Sequence, residues 1–204
     1  RWPVPVEALS QALRDPVLQR LMAATFLSFA GFSAMWSTFG LWGAVRFDWG
    51  PKAIGFVMAL TGVAAALSQG MLSGYAARRI GEVRTIVVGL GVTAVFLLAQ
   101  SVSPWAWLAT ILMIVAVIGH TMSQPASSSL ISQAAPPDQQ GATLGANNAA
   151  SAAARVLGPV LAGFAFSGLG PWAPFVLAAL GILPAAWLAW RGGLALARRK
   201  AQSA

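Results

Sequence analysis

Six long apolar runs, separated by short breaks rich in Gly, Pro or charge, leave this chain little choice of solvent. They fall at roughly 17–44, 51–76, 83–101, 104–132, 141–167 and 171–191. About 20 helical residues cross a hydrocarbon core of ~30 Å, and each run suffices. Inside lipid the backbone has no water to bond, so each run must close its own hydrogen bonds as a helix. Only 9% of the 204 residues are charged, against about 25% in soluble domains, so a water-soluble fold could not cover its own surface. The expected fold class is all-α, a polytopic membrane protein of six transmembrane helices. Trp, present 9 times, suits the membrane interface. With no Cys, disulfides, thiolate metal sites and Cys nucleophiles are excluded. The single His, His120, leaves no His cluster for a metal. Neither a metal nor a cofactor is expected.

The net charge of +8 would suggest nucleic acid on a soluble protein. Here it reads as topology. Arg14, Arg20, Arg78, Arg79, Arg84, Arg191, Arg198, Arg199 and Lys200 share one side if six helices alternate, while the other side has only Arg46 and Lys52, offset by Asp48. The positive-inside rule then places both termini in the cytoplasm. The corresponding domains are the end of a cytoplasmic linker at 1–16, a six-helix half-bundle at 17–191 and a cytoplasmic basic tail at 192–204. No signal peptide is visible, and the chain does not begin with Met. A removed Met, a trimmed chain or a cut from something longer would each account for that start.

Small residues spaced by four, which let membrane helices approach closely, occur at Ala66, Gly70 and Gly74, at Gly141 and Gly145, and at Ala154, Gly158 and Ala162. Pro125, Gly158 with Pro159, and Pro184 are expected kinks. Polar groups inside spans mark a bundle interior, a cavity or a partner. The third and sixth spans nearly lack them and are expected to face lipid; the first, second, fourth and fifth are expected to line a cavity. In the fifth, Asn148, Arg155 and Pro159 share a face, with Asn147, Ala154 and Gly158 beside it. Arg155 lies mid-span with no carboxylate in any span to neutralise it. It lines a substrate or ion path beside Asn148, or it bonds backbone carbonyls freed near Gly158 and Pro159. His120 is a packing residue or a proton carrier. Gln69 and Gln124 bond a polar substrate or each other, and Trp36 packs or stacks on an aromatic substrate.

The loop GMLSGYAARRIGEVR, 70–84, is a basic turn in which Gly81 permits a tight bend. Glu82 can pair with a neighbouring Arg or a helix N-terminus. Arg78 or Arg79 is expected to touch a neighbouring helix end. An intramembrane serine protease would need Gly-x-Ser, offered by GFSA at 31–34, with His120; such a tripeptide is common in Ala/Gly/Ser-rich sequence, and no enzyme is expected.

Three stretches carry a resemblance. RFDWGPKAIGFVMALTGVAAALSQGMLSGYAARRIGEVR (46–84), SQPASSSLISQAAPPDQQGATLGANNAAS (123–151) and ARVLGPVLAGFAF (154–166) resemble, in this order, the C-terminal half of a major facilitator superfamily transporter. They are most similar to bacterial drug:proton antiporters of the tetracycline-resistance type. The loop lacks the Asp of the family's first-half pattern G-x-L-x-D-R-x-G-R. The resemblance implies helices seven to twelve, built as two three-helix repeats of inverted topology, in a bacterial inner membrane. It implies proton-driven efflux of a small amphipathic molecule, such as a drug or tetracycline. The partners would be that substrate, the lipid bilayer, and an N-terminal six-helix half or a second copy. The gating loop would comprise Gly70, Gly74, Arg78, Arg79, Gly81, Glu82 and Arg84. A sugar or metabolite exporter, or a non-transporting scaffold or sensor, are the alternatives.

Overall fold

A computed structural model of the chain describes residues 14–203. The expected linker end therefore lies mostly outside the described residues. The helices are α1 (Pro16–Phe47), α2 (Pro51–Leu67), α3 (Ser73–Ile80), α4 (Glu82–Ser101), α5 (Ala106–Ala134), α6 (Gln140–Leu169) and α7 (Ala173–Ser203). A π-helical turn, Ser68–Leu72, fuses α2 and α3 into one span, Pro51–Ile80. No strand occurs among the described residues. Six spans are long and apolar enough to cross a membrane. The sixth does not stop at 191: α7 continues through the basic stretch, and Gly192 and Gly193 lie close against Leu21 and Val83.

Local chemistry sets the helix ends. Asp15 caps α1, its Oδ1 accepting from the Val17 N–H at 2.8 Å, and Pro16 begins the helix with the φ it needs. Asp48 ends α1 in the left-handed region, φ 56°, which Asp tolerates better than most residues. Gly81 has φ 84° and ψ 157°, a region essentially closed to side chains. It is the hinge of the tight turn between α3 and α4, as the sequence suggested.

The most extensive contacts join α4 to α5, α1 to α7, α1 to α6 and α4 to α7. This pattern has a symmetry. Exchanging the first three spans for the last three turns the first–sixth contact into the fourth–third contact and maps the third–sixth contact onto itself. Two similar three-helix repeats produce that relation. The third and sixth spans are therefore not a sleeve facing lipid alone. They pack together and against the fourth and first, burying Leu90, Ala94, Leu97, Ala179, Ile182 and Ala185. Their other faces expose Val88, Val95, Leu180 and Trp187.

Close approaches occur where a missing side chain makes room. A Cβ on Gly89 would lie 2.5 Å from the Gly119 carbonyl oxygen, and the reverse holds as well. A Cβ on Gly158 would lie 2.5 Å from the Ala30 carbonyl oxygen. Ala154, Gly158 and Ala162 are buried, and Gly158 meets α1, so this stripe is a packing seam. The other small-residue stripes are not seams. Gly70, Gly141 and Gly145 have open space where a Cβ would stand, and Gly74 has only Arg78 near it. They lie on outward faces of the second and fifth spans. Pro125, Pro159 and Pro184 all sit inside uninterrupted helices.

Candidate functional site: a cavity where four spans meet

Along α1, Phe29, Phe32, Ser33 and Trp36 are spaced i, i+3, i+4, i+7 and so share one face. Along α5, His120 and Gln124 are one turn apart, with Thr121 beside them. These two faces, with Gln69 from the π-helical turn and Arg155 from α6, line a half-open cavity of ≈ 430 Å³. The turn around Gln69 is held to α5 by Ser68, whose hydroxyl donates to the Ile118 carbonyl at 3.0 Å. An extra residue per turn re-aims the side chains that follow, and such turns recur at functional sites.

His120 forms the buried floor. Its ring lies flat on Phe32, centroids 3.9 Å apart and planes 3° apart, and meets the edge of Phe29 at 5.6 Å. Trp36 extends the stack, 5.8 Å from Phe32. The Gln124 amide lies 3.1 Å from His120 Nε2. Nδ1 is buried without a protein partner. One ring nitrogen is thus satisfied and one is not, a state that costs about 1–3 kcal/mol when nothing else bonds it.

Arg155 stands over the Phe29 ring, its guanidinium carbon 4.8 Å from the centroid. The cation meets the negative face of the π system, worth about 0.5–2 kcal/mol. This corrects one sequence reading: the guanidinium rests on an aromatic ring, not on carbonyls freed by Pro159. A carbonyl is freed nonetheless. Pro159 has no N–H to give Arg155's oxygen four residues back, and the Ser33 hydroxyl reaches across from α1 to supply one at 3.4 Å. Ser33 and His120 both line the cavity, yet the Ser33 hydroxyl is engaged by that carbonyl, and His120 Nε2 by Gln124. No carboxylate lines the cavity among the described residues.

Of the residues singled out in the sequence, Trp36, Gln69, His120, Gln124 and Arg155 converge here. Asn147 and Asn148 do not. Asn148 shares Arg155's face but lies seven residues away, about 10 Å along the axis, and is exposed. Asn147 is buried on the adjoining face, its Oδ1 unpartnered. Phe29, Phe32 and Thr121 were missed. The i, i+3, i+7 spacing of Phe29, Phe32 and Trp36 was the available signal.

The basic loop stands apart from this cavity. Arg79 lies over Tyr75 of its own helix at 5.5 Å, and it and Arg78 occupy the last turn of α3, where cations suit the dipole. Arg84 borders a separate hollow with Trp190. Glu82 does occupy the first turn of α4, as a helix N-terminus favours. Its carboxylate, however, bonds no Arg: it accepts from Ser129 at 2.6 Å and from Gln133 at 2.7 Å. The serine run at the end of α5 is nearer than either arginine. Lys200 extends this network, donating to Gln133 at 2.7 Å. Asp15 pairs with Arg199 at 2.8 Å, which holds its carboxyl below the usual range, aided by the Val17 N–H.

Six long apolar spans, two exchangeable halves and a half-open cavity lined by four of the spans define a polytopic membrane bundle. The chain belongs to the Major Facilitator Superfamily, whose family model matches residues 21–203. It is similar to the tetracycline resistance protein, class C, of Escherichia coli, 29% identical over 63% of this chain and 32% of that protein. It is similar to the human Hippocampus abundant transcript 1 protein, 26% identical over 79% of this chain and 33% of that protein. Among solved structures, the human organic anion transporter MFSD10 has the same fold, with a TM-score of 0.79 and 24% identity, over 91% of this chain and 46% of that one. The chain thus spans about a third of the length of the relatives it matches. It is a multi-pass membrane protein.

Proposed function

We propose that this chain forms one half of a proton-coupled exporter of small amphipathic molecules, and that the Phe29–Phe32–Trp36–His120–Arg155 cavity is its share of the substrate site. The observation that carries the reading is convergence. Four separate spans each send a polar or aromatic side chain to one cavity of ≈ 430 Å³, a volume in the range of small-molecule sites. The aromatic stack suits a flat apolar body, and the glutamines and Arg155 suit polar or anionic edges. The other half of the site comes from an N-terminal six-helix unit or a second copy, in a bacterial inner membrane with both ends cytoplasmic. The one-sided Arg and Lys placement supports that orientation. Likeness to tetracycline resistance proteins favours drug efflux over a sugar or metabolite exporter.

The test is efflux from proteoliposomes holding the whole protein, with and without an imposed pH gradient. Cationic ethidium, zwitterionic tetracycline and anionic fluorescein serve as probes. Gradient-dependent movement of at least one probe is expected, and Arg155→Leu should abolish it. Movement that ignores the gradient would refute proton coupling. No movement of any probe, or normal transport by Arg155→Leu, would refute the site.

A further inference from the structure

Away from that cavity, α1 and α7 pack side by side at the end of the bundle where α1 starts and α7 ends. Gly192 permits the contact: a Cβ there would lie 2.9 Å from Leu21 Cδ2 and 3.4 Å from Arg20 Cβ. The contact brings positive charge together. Arg20 from α1 and Arg191, Arg198 and Arg199 from α7 line one pocket of ≈ 390 Å³, with Val17 and Leu194 among its apolar walls. Arg199 is neutralised by Asp15. Arg20, Arg191 and Arg198 have no acidic partner among the described residues. Three like charges around one concavity repel, and an anion sharing it would relieve that repulsion.

We infer that this pocket binds the phosphate headgroup of an anionic phospholipid. Two features favour a lipid over a free phosphate. Arg191 lies on the Trp187 ring, 5.1 Å from its centroid, which fixes the guanidinium one turn from an aromatic residue suited to the membrane interface. From there the exposed surface of α7 continues as Leu183, Trp187 and Trp190, an apolar track for acyl chains. Basic pockets between membrane helices hold such headgroups through planar, bidentate arginine contacts. A zwitterionic headgroup would leave the three charges uncompensated.

Native mass spectrometry of the whole protein, released from detergent with added lipid, tests this. Phosphatidylglycerol should bind in preference to phosphatidylcholine on the unmodified protein. Each arginine near a bilayer surface is worth about fivefold, so Arg20→Gln with Arg191→Gln and Arg198→Gln should weaken phosphatidylglycerol binding on the order of a hundredfold. Arg46→Gln with Lys52→Gln, at the opposite end, should leave it unchanged. Equal binding of the two lipids by the unmodified protein would overturn the inference, whether or not the triple variant folds. So would equal loss in the opposite-end variant, the mark of bulk charge. Displacement of the lipid by inorganic phosphate at comparable concentration would make the pocket a plain anion site and overturn the lipid assignment.

Discussion

Arg155 combines a cost with a use. A charged side chain mid-membrane costs roughly 2.5–3.5 kcal/mol on insertion scales, and here the cation lies over Phe29 at the edge of a cavity without carboxylates. Arg155→Leu should therefore reach the membrane at least as well, while transport falls; Arg155→Lys should recover only part, because an ammonium lacks the planar guanidinium. Quantitative blotting beside the efflux rate separates the two effects. Gly158 makes a sharper stability prediction. Gly158→Ala drives a methyl into the α1 backbone and should cost about 1–3 kcal/mol. Gly91→Ala, on the third span, meets open space and should gain about 0.5–1 kcal/mol from helix propensity. Thermal unfolding of both variants in detergent checks this, and a lower Tm for Gly91→Ala would place that face at a helix contact. Asp15 contributes by pH. Its carboxyl is held below the ordinary value by Arg199, so its contribution is complete above about pH 4 and fades as pH falls through the lowered value. The exposed pair is worth only about 0.2–1 kcal/mol. Asp15→Asn should thus lower Tm slightly at pH 7 and converge with the unmodified protein once the pH falls below the lowered value.

At the scale of elements, the bundle is stitched by polar side chains at its helix ends. Glu82 of α4, Ser129 and Gln133 of α5 and Lys200 of α7 form one network. Hydrogen bonds to a charged group are worth about 1.5–3 kcal/mol. Glu82→Ala should cost that order in thermal stability, and Arg78→Ala, on an exposed turn, well under 1 kcal/mol; equal losses would deny the network its role. What could be read from the sequence follows from the range of each signal. Helix number, the Gly81 turn and the cavity residues Trp36, Gln69, His120, Gln124 and Arg155 were legible, because a polar group in an apolar run is informative by itself. Which helices touch was not. Gly158 and Gly145 look alike in an Ala-rich run, and only the partner helix distinguishes a seam from an open face. Glu82's partners lie 47 and 51 residues away, beyond any local pattern. Asn148 was assigned to the cavity by azimuth alone; it stands about 10 Å along the axis from Arg155 and does not line this pocket.

This bundle is two three-helix repeats, with a half-open cavity to which the first, second, fourth and fifth spans contribute. The second and fifth spans are the least buried, which fits faces that the proposed second half would cover. The topology proposed from charge is open to direct labelling, since the chain has no Cys. A Cys at Ile80 should react with an impermeant maleimide only after the cells are opened; reaction in intact cells would invert the orientation. The same background gives the most direct test of the central claim, that the cavity receives the transported molecule. Single Cys residues at Gln69 and Asn148 are compared for thiol-labelling rate, with and without the probe selected by the efflux assay. The account predicts that the probe slows labelling at position 69 several-fold and leaves position 148 unchanged. An unprotected position 69, or protection at 148 in its place, would contradict it.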